Sequence, residues 1–182
     1  SRAWLLLRMG ETVGARTLIE QVDNADYTDR LYQVAMPVFM ASADPAGLCP
    51  IADSAAQALK SKEWRTARAI CAGLAGDQGR ASALLTEVRR RGWASGIDYL
   101  LATKIIGAGF NGRRAVTIQW DDVQGLNAWR YGLAVATGVE PPSTMYNGYG
   151  RQVSGWRVLS AALPVASRIQ ASDHAAALDH SF

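Results

Sequence analysis

The chain has 182 residues, 49% of them hydrophobic and 19% charged, with a formal net charge of +3. That balance excludes a disordered tail and is enough for one folded domain with a real core, while the mild basicity defines no anionic partner by itself. No apolar run approaches the roughly 18 residues that suggest a membrane span.

The opening "SRAWLLLRMG" has neither a starting methionine nor a leader pattern, so any targeting signal is expected upstream or already removed. In "ETVGARTLIEQV", Ala15, Leu18, Ile19 and Val22 fall at i, i+3, i+4 and i+7, the spacing of one buried helix face. Thr28 reads as an N-cap, and Pro37 inside "DRLYQVAMPVFMAS" is expected to kink or split that helix. Pro50 occupies a first-turn position, which predicts a helix from Pro50 to Leu59, a tight "KSK" turn, and a second helix from Glu63 to Leu74.

"DQGRASALLTEV" then repeats the earlier spacing with Ala81, Leu84, Leu85 and Val88. The offset is 81 − 15 = 66, and it also places Gly10-Glu11 on Gly76-Asp77 and Leu5 on Cys71. Such a period suits two helical hairpins of about 34 to 47 residues each. Arg89 to Arg91 precede Gly92, where cations complement a helix C-terminus and glycine ends it. Ser95 is the next expected N-cap.

"GAGFNG" spells G-x-G-x-x-G with Gly107, Gly109 and Gly112. A dinucleotide site needs a strand before the glycines and a helix after them. Here a helical "IDYLLATKII" precedes and an extended "RRAVTIQW" follows, so the segment reads as a helix-to-helix connection. Asp121 and Asp122 are expected to cap and open a helix over "DDVQGLNAWRYGLAVATG". "SDHAAALDH" offers Asp173, His174, Asp179 and His180, but histidines six apart sit on different helix faces, and a solvated chain end is the expectation. The amphipathic pattern is unfinished at "DHSF", which suggests that the protein continues.

"KEWRTARAICAGLAGDQGRASALLTEV" resembles the tetratricopeptide class of helical repeat, with a tryptophan early in one helix, Gly76 at the turn and small Ala81 in the next helix. The family's tyrosine and second aromatic are absent. The resemblance spans residues 1 to 107 and implies a concave superhelical scaffold that binds proteins or peptides. The whole chain is also similar to helical-repeat proteins of alphaproteobacteria, which supply no activity to carry over.

The fold expected is therefore all-α, with about eight or nine helices in antiparallel pairs stacked as a right-handed, solenoid-like array. It forms a single domain over residues 1–182, with repeat-like halves 1–66 and 67–132 and an irregular connection at 107–120. Antiparallel packing would set Cys71 level with Ile51 or Ala52 and within reach of Cys49. Either the two form a disulfide, or each is a small buried hydrophobe. A catalytic thiol lacks a nearby base and a zinc site lacks ligands.

Most aromatics of the second half read as core, but Tyr146 and Tyr149 lie in the glycine-rich "STMYNGYGRQ", and this loop with Arg151 is the candidate partner-binding surface. No catalytic residue, cofactor or metal is assigned. The expected function is a non-catalytic scaffold that binds a protein or peptide. Its alternatives are an accessory domain of a cell-wall-active enzyme and a nucleic-acid-binding repeat, though the scattered arginines form no stripe. The disulfide reading places the protein in the periplasm or otherwise outside the cytoplasm; separate thiols would allow the cytoplasm.

Overall fold

The computed structural model describes residues 1–110, 117–146 and 151–179, with ten α-helices and no strand among them. In order they are α1 (Arg2–Arg8), α2 (Thr12–Glu20), α3 (Asp29–Ala41), α4 (Ala52–Ala58), α5 (Lys62–Leu74), α6 (Gln78–Arg91), α7 (Gly96–Ala108), α8 (Ala128–Ala136), α9 (Arg151–Leu159) and α10 (Val165–Asp179). Short 3-10 turns at Asn24–Asp26, Pro45–Ile51 and Ser143–Tyr146 join some of them.

Two hairpins share one turn. Gly10 between α1 and α2 and Gly76 between α5 and α6 both adopt left-handed backbone, at φ of 85° and 77°, where a side chain would be strained. The Glu11 amide donates to the Leu6 carbonyl at 2.9 Å and the Asp77 amide to that of Ala72 at 3.0 Å, the same bond 66 residues later. Ala15 and Ala81 are each fully buried where the second helix crosses the first. Only the cap differs, because the shorter Asp77 side chain accepts the Arg80 amide while Glu11 makes no such bond.

Helix α3 is the internal strut. Tyr32, Val34, Ala35, Met36, Val38, Phe39, Met40 and Ala41 are all buried, and the helix packs on α1, α2, α8 and the Pro45–Ile51 turn. Thr28 caps it through the Leu31 amide. Pro37 neither splits nor ends it, since α3 runs unbroken across that position. Burial on several sides holds the helix together, and the cost is a Gln33 carbonyl without its usual donor. At the α3–α8 crossing a Cβ on Gly132 would stand 2.6 Å from the Met40 carbonyl oxygen.

The chain also closes on itself. The Trp156 indole on α9 donates to the Leu7 carbonyl at the end of α1 at 3.1 Å, and the Gly10 turn lies against Gly155. An open linear stack would hold these elements apart.

Several sequence expectations change. Pro50 lies inside the 3-10 turn, and α4 starts two residues later at Ala52. Ser95 holds the N-cap position of α7 without a side-chain cap bond. Asp121 and Asp122 lie in a turn, while the helix they were expected to open starts at Ala128 behind Asn127, whose side chain caps the Arg130 amide. Of the strand-like "RRAVTIQW", Thr117–Trp120 is irregular and the remainder lies outside the described residues. Gly107 and Gly109 sit at the C-terminal end of α7, and a Cβ on Gly109 would collide with the Gly73 carbonyl of α5. That glycine permits a helix crossing rather than cradling a phosphate; Gly112 lies outside the described residues.

Gly132→Ala is expected to lower stability by about 1 to 3 kcal/mol, because backbone must move to admit the methyl group. Urea unfolding of the variant beside Gly79→Ala, whose nearest neighbour stands at 3.8 Å, checks this. The control should change little.

Candidate functional site

The two cysteines form a disulfide, Cys49–Cys71, with Cα atoms 5.3 Å apart. It ties the Pro45–Ile51 turn to the last turn of α5. Beside it Asp53 of α4 accepts from Arg68 Nε and Arg80 Nη2, both at 2.6 Å. The Arg80 and Arg68 bonds hold the Asp53 carboxyl below its ordinary range. One covalent and two ionic links thus dock α4 on the α5–α6 hairpin, and no thiol is left free.

Tyr146, expected as an exposed anchor, is instead core. It is 1% exposed, since the Ser143–Tyr146 turn directs it inward and the Arg157 guanidinium covers its ring at 4.0 Å. Tyr149 lies outside the described residues, and Arg151 begins α9 with its side chain outside them.

Arg157 is itself buried and donates to Glu140 Oε1 at 2.7 Å, while the Ser167 hydroxyl donates to Glu140 Oε2 at 2.7 Å. Burial pushes the Tyr131 hydroxyl up to about 12 and raises that of Tyr146 further. Ser160 approaches Tyr131 without completing a hydrogen bond, and neither tyrosine hydroxyl has a partner among the described residues. The group locks α8, α9 and α10 together.

The surface with binding character lies at the seam of α1, α3 and α8. A cleft of about 420 Å³ there is lined by Trp4, Leu7, Arg8, Pro37, Glu63, Asn127, Ala128, Trp129 and Trp156. A second of about 350 Å³, lined by Ser1, Trp4, Arg30, Gln33 and Val34, meets it at Trp4. Trp4 is 41% exposed and carries the Arg8 guanidinium at 4.9 Å over its ring. Trp129 and Trp156 are buried and form the floor. Glu63, in the first turn of α5, accepts from the Ser61 hydroxyl at 2.6 Å. Pro37 opens onto one cleft and Gln33 onto the other, so the helix carbonyl that lacks a donor belongs to this seam.

This groove escapes the sequence reading because its parts come from positions 4, 8, 30, 63, 129 and 156. One signal existed: α1 buries Ala3 and Leu7, so Trp4 is a large aromatic off the apolar stripe. A larger cleft of about 470 Å³ involves Trp120, Asp121 and Met145, but irregular segments build its walls and, among the described residues, no buried aromatic floors it.

Five of the arginines are already in ion pairs, Arg16, Arg68, Arg80, Arg130 and Arg157. Arg89, Arg90 and Arg91 close α6 ahead of the left-handed Gly92. No cluster of three potential metal ligands occurs among the described residues. No helix is long and apolar enough to cross a membrane among them. No family model, curated protein or solved structure matches the chain.

Arg157→Ala strands the Glu140 carboxylate and should cost about 3 kcal/mol, whereas Ser167→Ala removes one hydrogen bond and about 1 kcal/mol. Chemical denaturation of the two variants separates these outcomes. Reducing Cys49–Cys71 should lower stability by about 3 kcal/mol on the loop-entropy estimate, read as a fall in the denaturation midpoint with dithiothreitol. The Asp53 carboxyl is depressed on folding, so its stabilisation is complete at neutral pH and fades as pH falls below about 4. Asp53→Asn should therefore flatten the acid limb of the stability profile.

Proposed function

We propose that this chain is a non-catalytic binding module that holds an extended segment of a protein partner in the seam groove. The observation that carries this reading is the continuity of two clefts at Trp4, which makes an elongated trough rather than an enclosed pocket. An exposed indole beside buried ones offers an apolar anchor. Arg8, Arg30, Gln33, Glu63 and Asn127 lie along its length, supplying polar contacts to a main chain.

The tetratricopeptide-like reading draws support from the two hairpins built on left-handed glycines with a buried alanine after each. In this proposal the scaffold derives from stacked helix pairs whose ends have met at Trp156. The disulfide supports placement in an oxidising compartment such as the periplasm. The pairing of arginines with carboxylates weakens the nucleic-acid alternative, because those cations are not available as a phosphate stripe.

Selection of a displayed peptide library on the chain, followed by titration of the binders on tryptophan fluorescence, tests the proposal. Trp4→Ala is expected to weaken selected peptides about tenfold or more, with helical circular dichroism unchanged. A library that yields no binder, or binders indifferent to Trp4→Ala, would overturn it.

A further inference from the structure

The seam trough has two helical walls, and a proline interrupts one of them. Arg30, Gln33 and Val34 line one cleft and Pro37 the other, and their spacing of i, i+3, i+4 and i+7 puts all four on one face of α3. Ser1 and Trp4 share the first cleft with Arg30, Gln33 and Val34, while Leu7 and Arg8 share the second with Pro37. Helices α1 and α3 therefore run along the trough in the same direction. From Arg30 to Pro37 the α3 wall is about 10 Å long, room for about three extended residues.

The hydrogen-bond ladder of that wall is broken at one point. A helix carbonyl points along the axis to the amide four residues on. Pro37 has no N–H to offer, and its ring turns the Gln33 carbonyl outward. Among the described residues, no backbone or side-chain donor from outside α3 reaches that oxygen. Gln33 is exposed. Lying between Gln33 of one cleft and Pro37 of the other, the carbonyl falls on the stretch where the two clefts meet at Trp4.

The neighbouring polar groups do not duplicate it. Arg8 and Arg30 can only donate, and Glu63 and Asn127 already accept from the Ser61 hydroxyl and the Arg130 amide. A backbone carbonyl is also held in place without a side-chain rotamer to order. It suits a ligand that brings an N–H of its own.

Resting on the reading of this trough as a peptide groove, we infer that the Gln33 carbonyl accepts a backbone N–H of the bound segment, next to the residue that packs on Trp4. Pro37 is the positioning residue that frees this acceptor. The ligand class narrows accordingly to an extended segment with a secondary amide beside its apolar anchor. A segment with proline at that position, whose nitrogen carries no hydrogen, is refused.

The tightest Trp4-dependent binder from the displayed library is remade with each backbone amide replaced in turn by an ester, which removes the N–H without adding bulk. One replacement, next to the anchor, is expected to weaken binding to the native chain about fivefold. Pro37→Ala returns an amide to the helix ladder. It should leave helical circular dichroism unchanged, weaken the parent peptide about fivefold, and lose nothing further with that ester. The carbon-13 resonance of the Gln33 carbonyl in the native chain should move downfield with the parent peptide and stay near its free position with the ester.

An ester series without such a position, or a loss of the same size in Pro37→Ala, would overturn the inference and leave the groove reading intact, since Trp4 dependence is established first. If Pro37→Ala does not fold, the ester series and the Gln33 resonance in the native chain decide, and a resonance that ignores the parent peptide counts against it. A library without a Trp4-dependent binder removes the groove reading and this inference together.

Discussion

One indole joins the beginning of this chain to its end. Trp156 donates its N–H to the carbonyl of Leu7, 149 residues away, in a buried setting, where an unmade bond would leave that donor unsatisfied. The same ring packs against Tyr131 with centroids 5.9 Å apart and floors the cleft that opens beside Trp4. Closure of the helix array and formation of the groove therefore meet at one side chain, while α9 is held to α8 by that ring and by the Arg157–Glu140 pair together.

The two hairpins show how one local rule serves different surroundings. A glycine in left-handed backbone and a buried alanine fix the crossing of α1 with α2 and of α5 with α6 alike. The outer faces differ: α4 is tied to α5 at Cys71 and Arg68, while Leu5 and Met9 of the first hairpin are exposed. Gly73, Gly109 and Gly132 then let the helices outside each hairpin approach to backbone distance. Close packing of this kind leaves little slack, so substitutions at these crossings act on the fold rather than on a ligand.

The sequence makes the helices and the disulfide legible for a physical reason. Helical spacing is local, and a tight turn between antiparallel helices fixes the distance between Cys49 and Cys71 from rise per residue alone. It misplaces what depends on remote contacts. Pro37 survives inside α3 because that helix is packed on several sides, and Tyr146 is drawn into the core by Arg157, which follows eleven positions later. A glycine-rich loop gave no hint of that cover. Trp4, Glu63 and Trp129 become one groove only through the closure at Trp156, and no spacing rule reports such a contact.

The chain is closed at this seam, and the groove exists because of that closure. The most direct measurement is amide and indole hydrogen exchange of the six tryptophans by NMR. Closure requires a slowly exchanging Trp156 indole N–H with Overhauser contacts to Leu7, beside a fast-exchanging Trp4. A Trp156 indole that exchanges as quickly as that of Trp4, with no contact to α1, would contradict it.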